Sequence, residues 1–223
     1  MNNIASHKDR VETVYPYSKW ELLRQFREQA IIIMGTLASR GVDSKIHGSV
    51  ARGDVDKDSD VDIIIPYVAS SLSVELALVN GGFNIYNRKI AQATPSHTPK
   101  AHIYLDASEK QCVTFPLVAF RRLEHEFYKF GGLLELKNLN EGTRVPGCDK
   151  RLMLIEPTSN GHIESPIQDR ESEVARIVGV SIEIVNERVR VLNRRKEIGR
   201  TGIVLSYNLM DREVFEEALK TLV

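Results

Sequence analysis

The amino-acid sequence predicts an α/β (α+β) protein in which a small, mainly helical unit follows a larger one. Segments with helical periodicity alternate with short apolar strands up to residue 137. The next segment, residues 138–147, is polar and contains two glycines and a proline, which is typical of a boundary. Helical periodicity dominates the rest of the chain. We therefore expect two domains, residues 1–137 and residues 148–223.

Helices of the first domain are predicted from apolar spacing and from the glycines that end them. Ser18 and Glu21 have the positions of a capping box, and apolar residues follow at helical spacing as far as Gly41. Paired glycines follow residues 80 and 130 and are natural helix ends. The predicted helices span residues 18–41, 72–79 and 119–130.

The strands are predicted from short apolar runs between polar turns. Pro66 ends one of these runs, and a polar turn at residues 107–110 separates two others. In the first domain the predicted strands span residues 43–48, 61–65, 83–91, 100–105 and 111–118. In the second domain we expect strands at 152–155 and 202–205, and helices at 169–178, at 181–195 and from Asp211 onward.

Composition and charge exclude several classes of protein. The chain has 223 residues, of which 42% are hydrophobic and 27% charged, as in ordinary globular proteins. No apolar run approaches the roughly 18–20 residues of a membrane span, and the N-terminus lacks the apolar segment of a secretory signal. The two cysteines, Cys112 and Cys148, are too few for a disulfide framework or a zinc site. We expect a cytoplasmic protein without a membrane partner.

The residues that carry chemistry lie in the segment from Ile46 to Ile65. Asp60 and Asp62 are two apart on a predicted strand, so both side chains leave the same face of the sheet. Two adjacent carboxylates repel each other in the absence of a cation, and magnesium with substrate phosphates is the usual occupant of such a pair. We expect the pair to hold Mg²⁺ or Mn²⁺.

The segment before this pair has the features of a phosphate-binding loop. Gly48 permits a close backbone approach, and Ser49 offers a hydroxyl and is followed by amides that can face phosphate oxygens. Arg52 adds a fixed positive charge. Such a cradle opposite a metal suits phosphoryl transfer. We expect the nucleotide-binding residues to be Gly48, Ser49, Arg52 and Ser59.

A calcium-binding loop is the alternative explanation for the acidic segment that starts at Asp54. Such a loop needs Gly at its sixth position and Glu at its twelfth. Counted from Asp54, these positions hold Ser59 and Ile65, so the calcium pattern fails.

The run Gly48-Ser49-Val50-Ala51-Arg52-Gly53, together with Ser59-Asp60-Val61-Asp62-Ile63, resembles the signature of the minimal nucleotidyltransferases in the DNA polymerase beta superfamily. The resemblance extends over residues 18–130. It implies a core in which a mixed sheet has helices on one side. It also implies that the Gly-Ser loop holds a triphosphate and that the paired carboxylates hold two divalent ions.

The same resemblance implies a third carboxylate on a later strand, which helps to activate the attacking hydroxyl. Asp106 ends the predicted strand 100–105, and we prefer it as the third catalytic and metal-binding residue. Its alternative role is to start the turn that follows. The third Asp of the family often lies between apolar residues before a proline, and here that position holds Thr114. If Thr114 is the equivalent residue, the metal site lacks a ligand and catalysis is weak or absent.

Three other side chains near this motif are interpreted as structural. His47 and His102 lie in predicted apolar strands, and no catalytic arrangement with Ser, Cys or Asp can be assembled around either from the sequence. Cys112 is expected to be a small buried hydrophobe.

The second domain contains a pattern similar to a helix-turn-helix. Ala175, Gly179 and Val185 have the spacing of such a unit, in which the glycine takes the turn. Its second helix is rich in arginine, which suits phosphate contacts along a nucleic acid, RNA in preference to DNA. Packing or a homodimer contact is the alternative. The expected basic surface consists of Arg188, Arg194, Arg195 and Lys196.

From these observations the sequence predicts an enzyme that transfers a nucleoside monophosphate from a nucleoside triphosphate to an acceptor. RNA, a protein side chain and a small molecule remain open as acceptors. The alternative is a nucleotide- or nucleic-acid-binding regulator that has the same fold and no turnover. A structural partner in a complex is the third interpretation.

Overall fold

A computed structural model describes residues 10–199 and 202–222 of the chain. The helices in this part are α1 (Tyr17–Ala38), α2 (Ser49–Arg52), α3 (Ser71–Asn80), α4 (Arg122–Phe130), α5 (Leu136–Asn140), α6 (Glu171–Val178), α7 (Ile182–Ile198) and α8 (Phe215–Leu222). The strands are β1 (Val11–Val14), β2 (Lys45–His47), β3 (Val61–Ile64), β4 (Asn87–Gln92), β5 (Lys100–Tyr104), β6 (Gln111–Pro116), β7 (Leu133–Glu135), β8 (Gly147–Cys148), β9 (Met153–Thr158), β10 (Gly161–Pro166) and β11 (Leu205–Asn208). No helix within these residues combines the length and the apolar character that crossing a bilayer requires.

Seven strands form a mixed sheet in the order β11-β4-β5-β6-β3-β2-β7. β3 and β6 run parallel, and the other neighbouring pairs are antiparallel. The predicted α/β (α+β) class with a mixed sheet is confirmed. A second, antiparallel sheet has the order β1-β10-β9-β8, and the sequence pattern predicted only its strand β9.

α1 and α3 cover one face of the larger sheet. The buried apolar residues of α1 recur at three- and four-residue spacing from Ala30 on, as expected for an amphipathic helix. They are Leu23, Ala30, Ile33, Met34 and Leu37. Val61 and Ile63 of β3 belong to the same core. Because side chains alternate along a strand, Asp62 points to the opposite face of the sheet.

The start of α1 differs from the prediction. Pro16 occupies the N-cap without a side-chain hydrogen bond, and the helix begins at Tyr17. The carboxylate of Glu21 accepts hydrogen bonds from the guanidinium of Arg24. The predicted capping box is therefore wrong.

A strand from the first predicted domain pairs with the second sheet, and a strand and a helix from the second predicted domain pack on the larger sheet. The division at residues 137 and 148 therefore does not describe the fold. β1, near the N-terminus, pairs with β10 of the second sheet. β11 pairs with β4 at the edge of the larger sheet, and Phe215 of α8 is fully buried against Phe115 in the core of that sheet. Pairing between distant strands leaves no local signal in the sequence. Residues 1–9, 200–201 and 223 of the predicted domains lie outside the described residues.

Phe215→Ala tests whether α8 belongs to the core of the larger sheet. The exposed fraction of Phe215 is 0%, so we expect its truncation to lower the free energy of unfolding by about 3–5 kcal/mol. Urea denaturation monitored by circular dichroism measures this change. Met210→Ala is the control, because 71% of Met210 is exposed and little change is expected. A loss below about 1 kcal/mol for Phe215→Ala would contradict the placement of α8.

Candidate active site

The two carboxylates of the motif lie at the exposed end of β3. Asp60 directly precedes the strand, and Asp62 is its second residue. Across the sheet, Asp62 is opposite His47 of β2 on one side and Cys112 of β6 on the other. Tyr104 of β5 continues this row, because it pairs with Cys112. The four side chains of the row belong to the face of the sheet that α1 and α3 leave uncovered.

A cavity of about 490 Å³ lies over this face, and we call it the sheet cavity. Asp60 and Asp62 line it together with basic and aromatic side chains. On the far side from the sheet, α4 contributes Phe127 and Tyr128 to its wall. The cavity has the size expected of a site for a small molecule or nucleotide.

The charge state of Asp62 reflects its position in this cavity. Its carboxylate keeps contact with solvent, but it lies at a recessed wall where protein replaces much of the surrounding water. This desolvation and the negative charge of Asp60 raise the pKa of Asp62 to about 6, while the ammonium of Lys150 opposes the shift. Asp60 therefore lies near enough to Asp62 for its negative charge to act on the Asp62 carboxylate.

The Gly-Ser loop approaches the carboxylate pair from β2. Gly48 has φ of 80° and ψ of −142°, a backbone conformation that only glycine adopts without strain. This turn directs the chain into α2 and places the hydroxyl of Ser49 3.3 Å from the hydroxyl of Ser59. Ser59 immediately precedes Asp60, so the structure brings the two predicted nucleotide-binding serines to the carboxylates.

Part of this region matches a known protein family. Residues 28–109 match the nucleotidyltransferase domain family. This part of the chain is therefore similar to nucleotidyltransferase domains. The match includes the Gly-Ser loop, both carboxylates and Asp106, and it ends before β6 and Thr114. A search of curated proteins gave no match to this chain.

Arg52 does not have the role predicted for it in this nucleotidyltransferase domain. Its guanidinium donates two hydrogen bonds to the carboxylate of Asp54, at 3.0 and 2.9 Å, and a third to the carbonyl of Gly131. Only 6% of Arg52 is exposed, and the residue is not part of the wall of the sheet cavity. The guanidinium is therefore a structural tie rather than a phosphate ligand, and the prediction is corrected.

Arg52→Met tests this structural role. Removal of the guanidinium leaves the carboxylate of Asp54, which is only 11% exposed, without its charged partner, so we expect a loss of about 3–5 kcal/mol in the free energy of unfolding. Urea denaturation monitored by circular dichroism measures it. Arg40→Met is the control, since Arg40 is exposed on a turn. A variant as stable as the wild type would contradict the tie.

Asp106 is not brought to the carboxylate pair. Its carboxylate accepts hydrogen bonds from the backbone amides of Ser108 and Gln111, at 3.1 and 2.6 Å, and so holds the turn between β5 and β6. Burial raises the pKa of Asp106, but these bonds and that from the Ser108 hydroxyl outweigh it and keep the pKa below its usual value. Among the described residues no three His, Cys, Asp or Glu side chains are arranged to hold a metal ion. The role of turn residue, and not that of third metal ligand, fits these contacts.

Thr114 lies on the same face of the sheet as Asp62 and lines the sheet cavity. Its hydroxyl is hydrogen-bonded to Nδ1 of His102 at 2.9 Å, and Sγ of Cys112 lies 3.5 Å from the same hydroxyl. Burial raises the pKa of Cys112 to about 12 and lowers that of His102 to about 4, so both groups are neutral near pH 7. β6 thus presents no carboxylate to the pair.

Sequence reasoning missed the other charged residues of the sheet cavity. Lys100 and Lys150 line it, and so does Glu109 from the turn between β5 and β6. The ammonium of Lys100 lies over the rings of Phe120, Phe127 and Tyr128, at 5.2, 5.8 and 5.1 Å. The sequence contains no signal for these positions, because the lysines come from separate elements that only the fold brings together.

α7 packs on α4 through part of the surface that was predicted to be basic. The guanidinium of Arg188 lies 5.0 Å from the ring centre of Phe127, and burial lowers its pKa. Ion pairing of Arg122 with Glu183 also joins the two helices. The side chains that remain exposed at the end of α7 are Arg194, Arg195 and Lys196. The single surface of four cations is therefore corrected to three, with Arg188 in the helix contact.

Asp62→Asn tests the electrostatics of the pair. Because the folded protein binds the proton of Asp62 more tightly than the unfolded chain does, ionisation of this carboxylate destabilises the fold above about pH 6. We expect the variant to have a higher melting temperature than the wild type at about pH 8 in EDTA, and the difference to disappear toward about pH 4. Thermal denaturation across this range measures it.

Asp58→Asn is the control for this series, because 76% of the Asp58 side chain is exposed. Its melting temperature at about pH 8 is expected to show no comparable rise over that of the wild type. Equal melting temperatures of the wild type and Asp62→Asn at high pH would contradict the coupling between the two carboxylates.

Proposed function

We propose that the protein binds a nucleoside triphosphate with Mg²⁺ or Mn²⁺ in the sheet cavity and transfers the nucleoside monophosphate to an acceptor. The acceptor hydroxyl or other nucleophile attacks the α-phosphorus, the bond between the α- and β-phosphates breaks, and pyrophosphate leaves. The observation that carries this proposal is the coupled pair of Asp60 and Asp62 beside the Gly-Ser loop at the wall of a nucleotide-sized cavity.

The donor set of the pair fits the proposed metal. Magnesium is usually bound by one or two carboxylates together with substrate phosphates, which supply the remaining oxygens. A bound divalent ion would neutralise the negative charge that develops on the phosphates during transfer. Asp60 and Asp62 would hold this ion, and no further carboxylate from the protein is needed to bind it.

Groups beside the cavity and in its wall would bind and orient the nucleotide. The hydroxyls of Ser49 and Ser59 lie next to Asp60 and can donate hydrogen bonds to phosphate oxygens. Lys150, whose charge already acts on Asp62, would take the part that the sequence assigned to Arg52. The aromatic rings of Tyr104 and Phe127 offer apolar surface for a base.

A second candidate function follows from the absence of a carboxylate on the cavity face of β6. Thr114 and Cys112 are neutral and cannot remove a proton from an acceptor near pH 7. A protein that binds the nucleotide and responds to it without turnover therefore has a specific observation in its favour. The two functions share the same nucleotide site and differ only in the transfer step.

Asp60→Asn and Asp62→Asn test the shared site. Each replaces one of the two carboxylates by a neutral amide, so we expect either variant to weaken the binding of a Mg²⁺-loaded, non-hydrolysable nucleoside triphosphate by at least about tenfold. Isothermal titration calorimetry measures this. Asp106→Asn is the control, since its carboxylate holds a turn, and its affinity should stay close to that of the wild type. Unchanged affinity in both pair variants would exclude the proposed site.

Label transfer separates the two candidate functions. Incubation with each nucleoside triphosphate labelled at the α-phosphorus, with Mn²⁺ and with cellular RNA or protein, should give covalent label that is absent with Asp62→Asn. Reversible binding with no covalent product would favour the regulator.

RNA belongs among the acceptors because Arg194, Arg195 and Lys196 are exposed at the end of α7. Their replacement by alanine should then weaken RNA binding and reduce its dependence on salt by about three phosphates.

A further inference from the structure

Two arginines, Arg27 of α1 and Arg144 after α5, share a second pocket that the proposed function does not use. The pocket has a volume of about 360 Å³, and we call it the arginine pocket. Trp20, Leu139 and Gly142 also line it. None of its lining residues belongs to the sheet cavity.

Neither arginine has a carboxylate partner among residues 10–199 and 202–222, although both are removed from solvent to a large extent. Arg27 is only 8% exposed, and its guanidinium donates from Nε and Nη2 to the carbonyls of Val50 and Ala51, at 3.2–3.3 Å. Nη1 has no partner in the described chain. Arg144 donates to the carbonyls of Gly161 and Thr158, and its Nε is likewise unused.

The carboxylate that lines this pocket and the carboxylate of Asp54 are already engaged. Glu28 lines the pocket, but it pairs with Arg24. Asp54 binds Arg52 through both oxygens. Two partly buried guanidinium groups near each other are unfavourable without a counter-charge, and burial together with the charge of Arg144 lowers the pKa of Arg27 to about 10.

We propose that the arginine pocket is a second binding site for a small polyvalent oxyanion of the phosphate class. Guanidinium groups match the oxygens of phosphate in paired geometry, and the two unused N–H groups belong to different arginines that line the same pocket. The volume of the pocket accommodates inorganic phosphate or pyrophosphate. This inference is independent of the proposed function, because the two sites share no residue.

The arginine pocket lies behind the Gly-Ser loop and is connected to it directly. Arg27 binds the carbonyls of Val50 and Ala51, which belong to α2, and Ser49 is the first residue of that helix. An anion that draws the guanidinium of Arg27 toward itself changes its hydrogen bonds to α2. Occupancy of the arginine pocket would therefore act on the Gly-Ser loop, whose Ser49 contacts Ser59 beside Asp60.

The chain contains a built-in reporter for this site. Trp20 is its single tryptophan, and the guanidinium of Arg144 lies 4.8 Å from the centre of its ring. Titration of the protein with pyrophosphate or inorganic phosphate, in EDTA and at constant ionic strength set with KCl, should give a saturable change in tryptophan fluorescence. EDTA keeps divalent ions from loading the sheet cavity during the titration.

Arg27→Met and Arg144→Gln should each weaken this binding by at least about tenfold, since each removes charge-assisted hydrogen bonds. Arg40→Gln removes an exposed cation elsewhere and should leave the affinity unchanged. Asp62→Asn should also leave it unchanged, which separates this site from the proposed nucleotide site. Circular dichroism verifies that both arginine variants are folded, and phosphate-dependent melting temperature supplies a readout independent of Trp20.

Several results would overturn the proposal. These are the absence of any saturable change in the wild type, an unchanged affinity in both arginine variants, and loss of the signal in Asp62→Asn. A short RNA with hydroxyl ends is the comparison ligand, because it carries phosphodiesters only. Tighter binding of this RNA than of pyrophosphate, with the same dependence on Arg27, would replace the small anion as the occupant.

Discussion

Arg52 is buried where α2, the Asp54 loop and the end of α4 meet, and its guanidinium joins all three. It binds both oxygens of Asp54 and the carbonyl of Gly131. The backbone packs so tightly around this side chain that two glycines have no room for a Cβ atom. A Cβ on Gly132 would lie 2.7 Å from the Arg52 side chain, and a Cβ on Gly147 would lie 2.6 Å from the amide nitrogen of Gly132. The position of the Gly-Ser loop relative to the carboxylates depends on this junction, because the loop leads directly into α2.

β3 is the part of the candidate site that local sequence predicts well. β3 alternates between core and cavity, so the spacing of Val61, Asp62 and Ile63 alone indicates which side chain faces the cavity. The roles of Arg52 and Asp106 could not be predicted in this way. Arg52 is held by the carbonyl of Gly131, which becomes adjacent only in the folded chain. Asp106 is held by the amide of Gln111, which becomes adjacent only when the turn has formed.

Burial of α7 against α4 shows why a helical pattern of cations is a weak predictor of a nucleic-acid surface. Arg188 and Arg195 are two helical turns apart and share a face by spacing. In the fold, Arg188 contacts the ring of Phe127, which also lines the sheet cavity. The contact between α7 and α4 therefore supports the wall of the sheet cavity. α7, which follows α6 after the turn at Gly179, serves packing in addition to any external contact.

The exchange of chain ends between the two sheets has a consequence for biosynthesis. The core that contains Phe115 receives Phe215 only after residues 205–222 have been synthesised. During elongation, β4 remains an unpaired edge, since its partner β11 is still absent. Such an edge attracts other extended chains. The core around the larger sheet is thus completed only when residues 205–222 are present, and β11 covers a strand edge that would otherwise be open to aggregation.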